Sequence, residues 1–492
     1  MPPQETTSVE MNQLTRGKLG VWGVIFLVIS AAAPLTVVVS AAPLGFRLGG
    51  IGAPGAMLYC GAVLILFALG FTAMSNHVPN AGAFYAYALH GLGKGPGIGL
   101  AFVTVFAYIF LCVSFYGFFG YFAHLTMLEL AGIDLPWWGF SALAIALVAL
   151  LGVRQVDVGA KLLAALVTAE IAILLAISIA VLLTGGPEPI SLAGFNPKNI
   201  FFSGGVAGLM VIGFGAYLGF EGTAIYAEEA RRPQRTIPIA TYLAVTLLAC
   251  FYAFTFWVLT VAFGVDGIIA FATGENFESM IFEASGSYLG SWAAICIQVL
   301  IVTSFFACIL AFHNAAARYM YSLGRERILP AALARISRRH NSPATASIVL
   351  SAFCAAAIAI AGYLVTDAYL GLATWTYATG VQGLVFGQTV ASISVVAYFL
   401  RDRRGHSSWR VVFAPALGAL GLVVGLIMIV GNFEITTGMD GAVNWILLAP
   451  TPLLFGGGLL YAAWLKRRSP AVYAELGTQQ AAHEHLIERQ EG

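Results

Sequence analysis

The chain has 492 residues, 59% of them hydrophobic and only 10% charged, with a mean hydropathy of +0.86, a composition that no soluble globular protein of this size carries on its surface. Its 24 Lys and Arg nearly balance 23 Asp and Glu, for a formal charge of +1, so there is no basic domain for nucleic acid and only the placing of the charges is informative. The apolar residues collect into long runs, and about 20 such residues cross a hydrocarbon core of about 30 Å.

In chain order, a polar stretch over 1–19 reads as a cytoplasmic tail; it lacks the apolar segment and small-residue cleavage site of a signal peptide, so nothing is expected to be removed. Twelve membrane-spanning helices are then predicted at 20–46, 51–74, 95–125, 137–153, 158–184, 203–228, 237–264, 288–318, 344–364, 368–400, 411–431 and 442–465, before a second cytoplasmic tail over 467–492. Lys and Arg orient them. Arg16, Lys18, Lys94, Arg154, Lys161, Arg231, Arg232, Arg235, the run Arg318 to Arg339, Arg401 to Arg410 and Lys466 to Arg468 fall on one side, against Arg47 and Lys198 on the other. Cytoplasmic loops carry that excess, so a multi-pass protein of the inner membrane with both termini cytoplasmic is expected. Acidic residues such as Asp134, Glu188, Glu278 and Asp367 lean to the outer loops. Cys60, Cys112, Cys250, Cys296, Cys308 and Cys354 lie inside apolar runs without CxxC spacing and read as small core residues.

Two runs carry residues that disturb a helix. The first, "SAAAPLTVVV", places Pro34 at its middle, where a lost donor and a steric clash cost about 3 kcal/mol or more. The sixth, "VIGFGAYLGFEG", holds Gly213, Gly215, Gly219 and Gly222. Each alone reads equally as a kink or a packing face. Spans one and six, however, occupy matching positions in two successive five-helix halves, and paired breaks of that kind point to an inverted-repeat transporter. Freed N–H groups there suit a substrate carboxylate and freed carbonyls an ammonium.

Three segments then resemble one family. "GFEGTAIYAEEARRPQRTIPIAT", Gly219 to Thr241, is similar to the signature of the amino acid-polyamine-organocation permeases; "VPNAGAFYAYALHGLGKGPG", Val78 to Gly97, and "HNAAARYMYSLGRERILP", His313 to Pro330, resemble further segments of the same family. The resemblance covers roughly 15 to 400. It implies a leucine-transporter-type fold: a 5+5 inverted repeat with helices 1 and 6 broken over 20–400, followed by two C-terminal helices over 401–466. It also implies a substrate pocket between Ala32, Ala33, Pro34, Leu35 and Thr36 of the first span and Phe214, Gly215, Ala216 and Tyr217 of the sixth. Where the family often sets an aromatic over the substrate this chain has Gly215, which implies a roomier pocket or one closed by Phe214.

Single residues carry further expectations. Pro238 reads as the opening of the seventh helix. Glu228 and Glu229 read as partners of nearby arginines, Arg318 among them, in a cytoplasmic gate or a static clamp. The segment before "GKGPG" reads as a short surface helix. Glu221 is a buried inter-helix hydrogen-bonding group or a pH-linked one. Glu170 stands mid-span with no charge within eight residues on either side, and an ionisable group at that depth is functional by default. It relays a proton, binds a cation, or stays protonated against a neighbouring helix. The resembling family often has lysine there. Thr303 and Ser304 are weak sodium candidates, and Trp375, Tyr377, Phe305 and Phe306 are gate or packing aromatics.

A secondary active transporter of amino acids or related amines, proton-coupled and working by alternating access, is the leading expectation; an exchanger is the alternative. The partners expected are that substrate, the proton and the lipid bilayer, with no nucleic acid and no obligatory protein partner. An enzyme or sensor would need clustered ligands or a soluble domain, and a channel a filter or charge ring, none of which the sequence carries. No cofactor is expected: GxxxxGK[ST] is absent and the eight His are scattered.

Overall fold

The computed structural model describes residues 20–78, 84–154, 160–225, 230–337, 342–365, 367–439 and 441–477. Among them the regular elements are helices. The first run becomes α1 (Val21–Ala32), α2 (Pro34–Thr36), a π turn (Val37–Ala41) and α3 (Ala42–Gly49). Ala33 between α1 and α2 sits at φ 43, ψ 74, a left-handed conformation that costs a non-glycine residue about 1–2 kcal/mol. Pro34 occupies the first position of α2, where a missing N–H leaves no bond unmade. The proline therefore starts a helix and does not kink one.

The chain turns at Gly50–Gly52 into α4 (Ala53–Ser75), then α5 (Phe84–Gly91), α6 (Lys94–Ala131), α7 (Trp137–Arg154) and α8 (Ala160–Thr184). A short α9 (Pro197–Phe201) precedes the second broken run, α10 (Val206–Gly215) and α11 (Gly222–Ile225), separated by turns closed by Leu218 N–H to Gly215 O and Phe220 N–H to Tyr217 O. Gly219 in that break has φ +99, which a side chain would oppose. Then come α12 (Pro233–Phe263), α13 (Val265–Thr273), α14 (Met280–Leu289), α15 (Ser291–Arg325), α16 (Ala344–Leu364) and α17 (Thr374–Arg401). The last elements are α18 (Ala414–Gly431), α19 (Phe433–Thr437), α20 (Ala442–Leu448), α21 (Pro450–Arg468) and α22 (Pro470–Glu475).

Among the described residues nine helical stretches are long and apolar enough to cross a membrane, or ten if α20 and α21, bent by 41°, form one span. The outer helices show why a membrane is needed. On α7, Ser141, Ala144, Ile145, Val148 and Gly152 are buried, whereas Leu143, Leu147 and Leu150 are exposed on the opposite face. That inverts the polarity of a soluble amphipathic helix and suits hydrocarbon outside. The most apolar window of Val21–Ser75 is 94% buried against 33% for α7 and 39% for α16, so the first broken helix stands at the bundle centre.

Several expectations shift. The segment before "GKGPG" is not a surface helix: Phe84, Tyr85 and Tyr87 of α5 are buried, because the three rings pack inward, Phe84 and Tyr87 against Phe71. Pro238 lies inside α12, whose first position is held by Pro233 instead; in the second turn it forgoes the bond an N–H would make to the carbonyl four residues back. Cys250 and Cys296 are exposed on the bundle's outer surface, while Cys60, Cys112, Cys308 and Cys354 are buried. Glu278, expected in an outer loop, lies in a short turn (Phe277–Ser279) between α13 and α14.

Candidate functional site

The two broken runs face each other across a narrow cavity of about 450 Å³ of space between atoms, its mouth included. One wall is the first broken helix, from Ala32 and Thr36 to Ser40 and Leu44; the facing wall is Ile212, Gly215 and Leu218. Phe115 and Phe118 of α6, Phe305, Cys308 and Phe312 of α15, and Tyr377 of α17 complete it.

Of the nine residues expected around a substrate, Ala32, Thr36 and Gly215 line this cavity. The others sit elsewhere. Tyr217 is fully buried and donates its hydroxyl to Met57 O at 2.6 Å, against α4. Phe214 packs on α18, where a Cβ on Gly425 would come within 2.3 Å of its ring. Ala33 supplies the left-handed turn and its carbonyl accepts the Thr36 hydroxyl at 2.7 Å. Pro34, Leu35 and Ala216 are buried beside the breaks.

Gly215 does not leave a vacancy. A Cβ there would lie 2.1 Å from the Tyr377 hydroxyl oxygen and 2.6 Å from its Cζ. The aromatic group missing from α10 is thus supplied by α17, and Phe214 does not close the pocket. Phe115 and Phe118 hold the Tyr377 ring edge-on, at 6.4 and 6.3 Å between centroids.

Glu170 of α8 is 2% exposed. Its polar neighbours are the Ser304 hydroxyl of α15 and the Leu35 backbone of α2, and α2 packs on both α8 and α15. Nevertheless Glu170 Oε2 and Ser304 Oγ each lack a hydrogen-bond partner among the described residues. Tyr252 donates to Ala32 O at 3.3 Å on the other side of the break. Thr303, by contrast, bonds its own backbone at Leu300 O, 2.9 Å. A buried carboxylate and hydroxyl with unmade bonds, set beside a helix break, form a place where a proton or small cation can be held.

Polar contacts flank the cavity on two sides. Toward the α5 end, Glu221 accepts the Tyr108 hydroxyl at 3.0 Å and the Gly219 N–H at 3.1 Å, and Tyr85 donates to Glu326 at 3.1 Å. Toward the other end, Tyr369 donates to Ser40 O and Tyr121 to Glu278 at 2.8 Å. There Arg47 donates to Ala272 O and Gly274 O, each at 3.1 Å, and lies 4.5 Å over the Phe277 ring.

Glu228 and Glu229 lie outside the described residues; Arg318, their suggested partner, is partly exposed on α15. Trp375 bonds Thr437 O at 2.9 Å, away from the cavity, and Phe306 packs on Phe119. The sequence reading passed over Tyr108, Phe115, Phe118 and Phe312. A signal was present for three of them: Tyr108, Phe115 and Phe118 recur, together with Phe122, at helical spacing on one face of α6.

The family model described as amino acid permease matches residues 19–457. The branched-chain amino acid permease BcaP of Lactococcus lactis is 26% identical over 410 residues, 78% of this chain and 83% of its own. The low-affinity putrescine importer PlaP of Escherichia coli is 22% identical over 386 residues, covering 75% and 78%. A vacuolar cationic amino acid transporter of Arabidopsis thaliana is 24% identical over 318 residues, 61% and 48%. With the match running across nearly the whole described bundle, the chain belongs to the amino acid permeases of the amino acid-polyamine-organocation superfamily: it is a multi-pass membrane transporter of amino acids and not an enzyme.

Proposed function

We propose that the protein is a secondary active transporter that moves amino acids or related amines across the cytoplasmic membrane by alternating access, with Glu170 as its proton site. The observation that carries this reading is the pair of unmade bonds at Glu170 Oε2 and Ser304 Oγ beside the break at Ala33. A carboxyl that gains a proton can donate to Ser304; one that loses it leaves a charge against α2, whose Leu35 backbone is adjacent. The protonation state and the position of the broken helix are thereby coupled, which is what linking a proton to a rocking bundle requires.

The substrate's α-carboxylate and α-ammonium are assigned to the backbone freed at the two breaks, around Ala32 to Thr36 and Phe214 to Tyr217. Twelve spans in a 5+5 repeat are part of this reading, and three choices bring the apolar stretches to that number. Val21–Ser75 is 55 residues, about 80 Å if straight, and is taken as two crossings turned at Gly50–Gly52. α10 with α11 is taken as one, and α20 with α21 as one. The transport core is 20–400, with 401–466 packed against it. The excess of Lys and Arg on one side supports cytoplasmic termini. Relatives named for branched-chain amino acids, cationic amino acids and putrescine support amino compounds as cargo.

Purified protein in liposomes under an imposed inward proton gradient should accumulate labelled amino acid, and Glu170→Gln should abolish accumulation while leaving counterflow between loaded compartments. Uptake that ignores the gradient and needs internal substrate identifies an exchanger and defeats the proton reading. An unchanged gradient response in Glu170→Gln removes that residue from coupling.

A further inference from the structure

We propose that the cavity selects neutral amino acids with apolar side chains and rejects those carrying a second charge of either sign; this rests on the reading that the cavity is the transport site. None of its lining residues is charged. Three bear hydroxyls, and two of those are committed: Thr36 donates to Ala33 O and Ser40 to Thr36 O. The third, Tyr377, lies against Gly215.

The carboxylates near the breaks do not serve a side-chain ammonium. Glu170 is not among the lining residues; it lies between α8, α2 and α15. Glu221 is held by Tyr108 and the Gly219 amide. A lysine, arginine or diamine would therefore bring a second ammonium out of water with no counter-charge, and an unpaired buried charge is strongly unfavourable. An acidic side chain fares no better, because Arg47 is directed outward to Ala272 O, Gly274 O and Phe277.

What the walls do offer is apolar contact. Phe115, Phe118, Phe305 and Phe312 surround the space left beside Ile212 and Leu218. Each methylene a substrate adds should tighten binding about fourfold until the aromatic walls are met. Gly215 and Tyr377 set that limit together, since the hydroxyl occupies the volume a side chain at 215 would need.

The test uses the full chain in liposomes and competition against labelled leucine. Norleucine and lysine are the decisive pair, with the same carbon chain and differing only by the terminal ammonium. Norleucine should half-inhibit at a concentration about 100-fold or more below lysine, a gap of about 2.8 kcal/mol at about 1.4 kcal/mol per tenfold. Alanine should compete more weakly than leucine, while putrescine and glutamate should fail. Leu218→Asp, placing a carboxylate in the lining, should narrow the norleucine–lysine gap; if that variant misfolds, the wild-type pair still decides. Lysine or putrescine competing within about threefold of norleucine overturns the selectivity, as does direct uptake of labelled lysine without leucine, and either leaves the transport reading standing. No uptake of any labelled compound by protein that melts cooperatively overturns the transport reading, and this inference with it.

Discussion

Replacing Gly215 with alanine should impair transport through one contact. The residue is the last of α10, and its backbone requires no positive φ, so an exposed helix would gain about 1 kcal/mol from the change. Here the new methyl would stand 2.1 Å from the Tyr377 hydroxyl oxygen, 2.6 Å from Cζ and 2.9 Å from Cε1. No pair of such atoms approaches so closely, so the ring must move, and Phe115 and Phe118 confine it. Overpacking of this kind costs about 1–3 kcal/mol, which outweighs the helical gain across most of its range. If the cost falls on the substrate-bound state, initial uptake drops about 5- to 150-fold. Tyr377→Phe in the Gly215→Ala background removes only the nearest atom and should restore part of the rate; Tyr377→Leu should restore more. Initial rates in liposomes and melting curves in detergent measure both. Wild-type transport and melting in Gly215→Ala, or no coupling between the two sites in the double variants, would refute the contact as the cause.

Ser304→Ala should flatten the response to a proton gradient several-fold, whereas Thr303→Ala, which removes only a bond to Leu300 O, should leave it unchanged; gradient-driven uptake distinguishes them. Tyr108→Phe takes from Glu221 its 3.0 Å donor and leaves a buried carboxylate short of one partner, so it should lower the melting midpoint by an amount matching about 1–3 kcal/mol. Lys94 donates to Tyr473 O at 2.6 Å and Ala474 O at 2.8 Å, while Gly477 N–H reaches Glu326 at 2.9 Å and Leu476 is buried; ending the chain after Arg468 should therefore destabilise the protein more than Lys94→Ala does, by melting of the two side by side. His77 and His406 share a 3.1 Å bond in the loops beyond α4 and α17, and both are held below their usual 6.5 by burial, then by Arg404 and His406 for His77 and by Arg410 for His406, with Asp402 opposing. The unfolded chain then takes up protons first as pH falls through 6.5, so stability is present above that pH and lost below it; the melting midpoint should drop between pH 7.5 and 5.5, and less steeply in His77→Gln/His406→Gln.

The two broken helices were legible because Pro34 and the glycines of 213–222 contradict a helix locally, and a local contradiction can be read without knowing the neighbours. The family was legible for the same reason, through contiguous motifs around Glu221 and Tyr85. The cavity wall was legible only in part: Ala32, Thr36, Gly215, Phe305 and Tyr377 were candidates, but how they meet was not. Tyr377 fills the space over Gly215 from α17, far along the chain, and no pattern in either segment announces the other. Tyr217 shows the reverse error: its position beside the break suggested a substrate contact, but its hydroxyl is spent on Met57 O, one helix away. Helices α13 and α14 are not announced in the sequence because they are short, nine and ten residues, in a segment bounded by Gly264 and Gly290, both with positive φ. Length, the chief signal for a membrane helix, says nothing there.

Glu170 and Gly215 were the two places where the chain left its family's pattern, and the structure places them on opposite sides of the first broken helix. Gly215 looks onto the cavity through Tyr377; Glu170 stands behind α2, toward Ser304. Only a short stretch of the first broken helix lies between them, with Ala33 held in a left-handed turn that its side chain disfavours. Such strain persists where the surroundings impose it, here through Tyr252 on Ala32 O and Thr36 on Ala33 O. On the proposed reading, proton occupancy at Glu170 and cargo in the cavity would act on the same short segment. A substitution that relaxes the turn, Ala33→Gly, should loosen their coupling more than it lowers binding: uptake without a gradient is retained while the ratio of driven to undriven uptake falls. Equal losses in both would place the coupling elsewhere in the bundle.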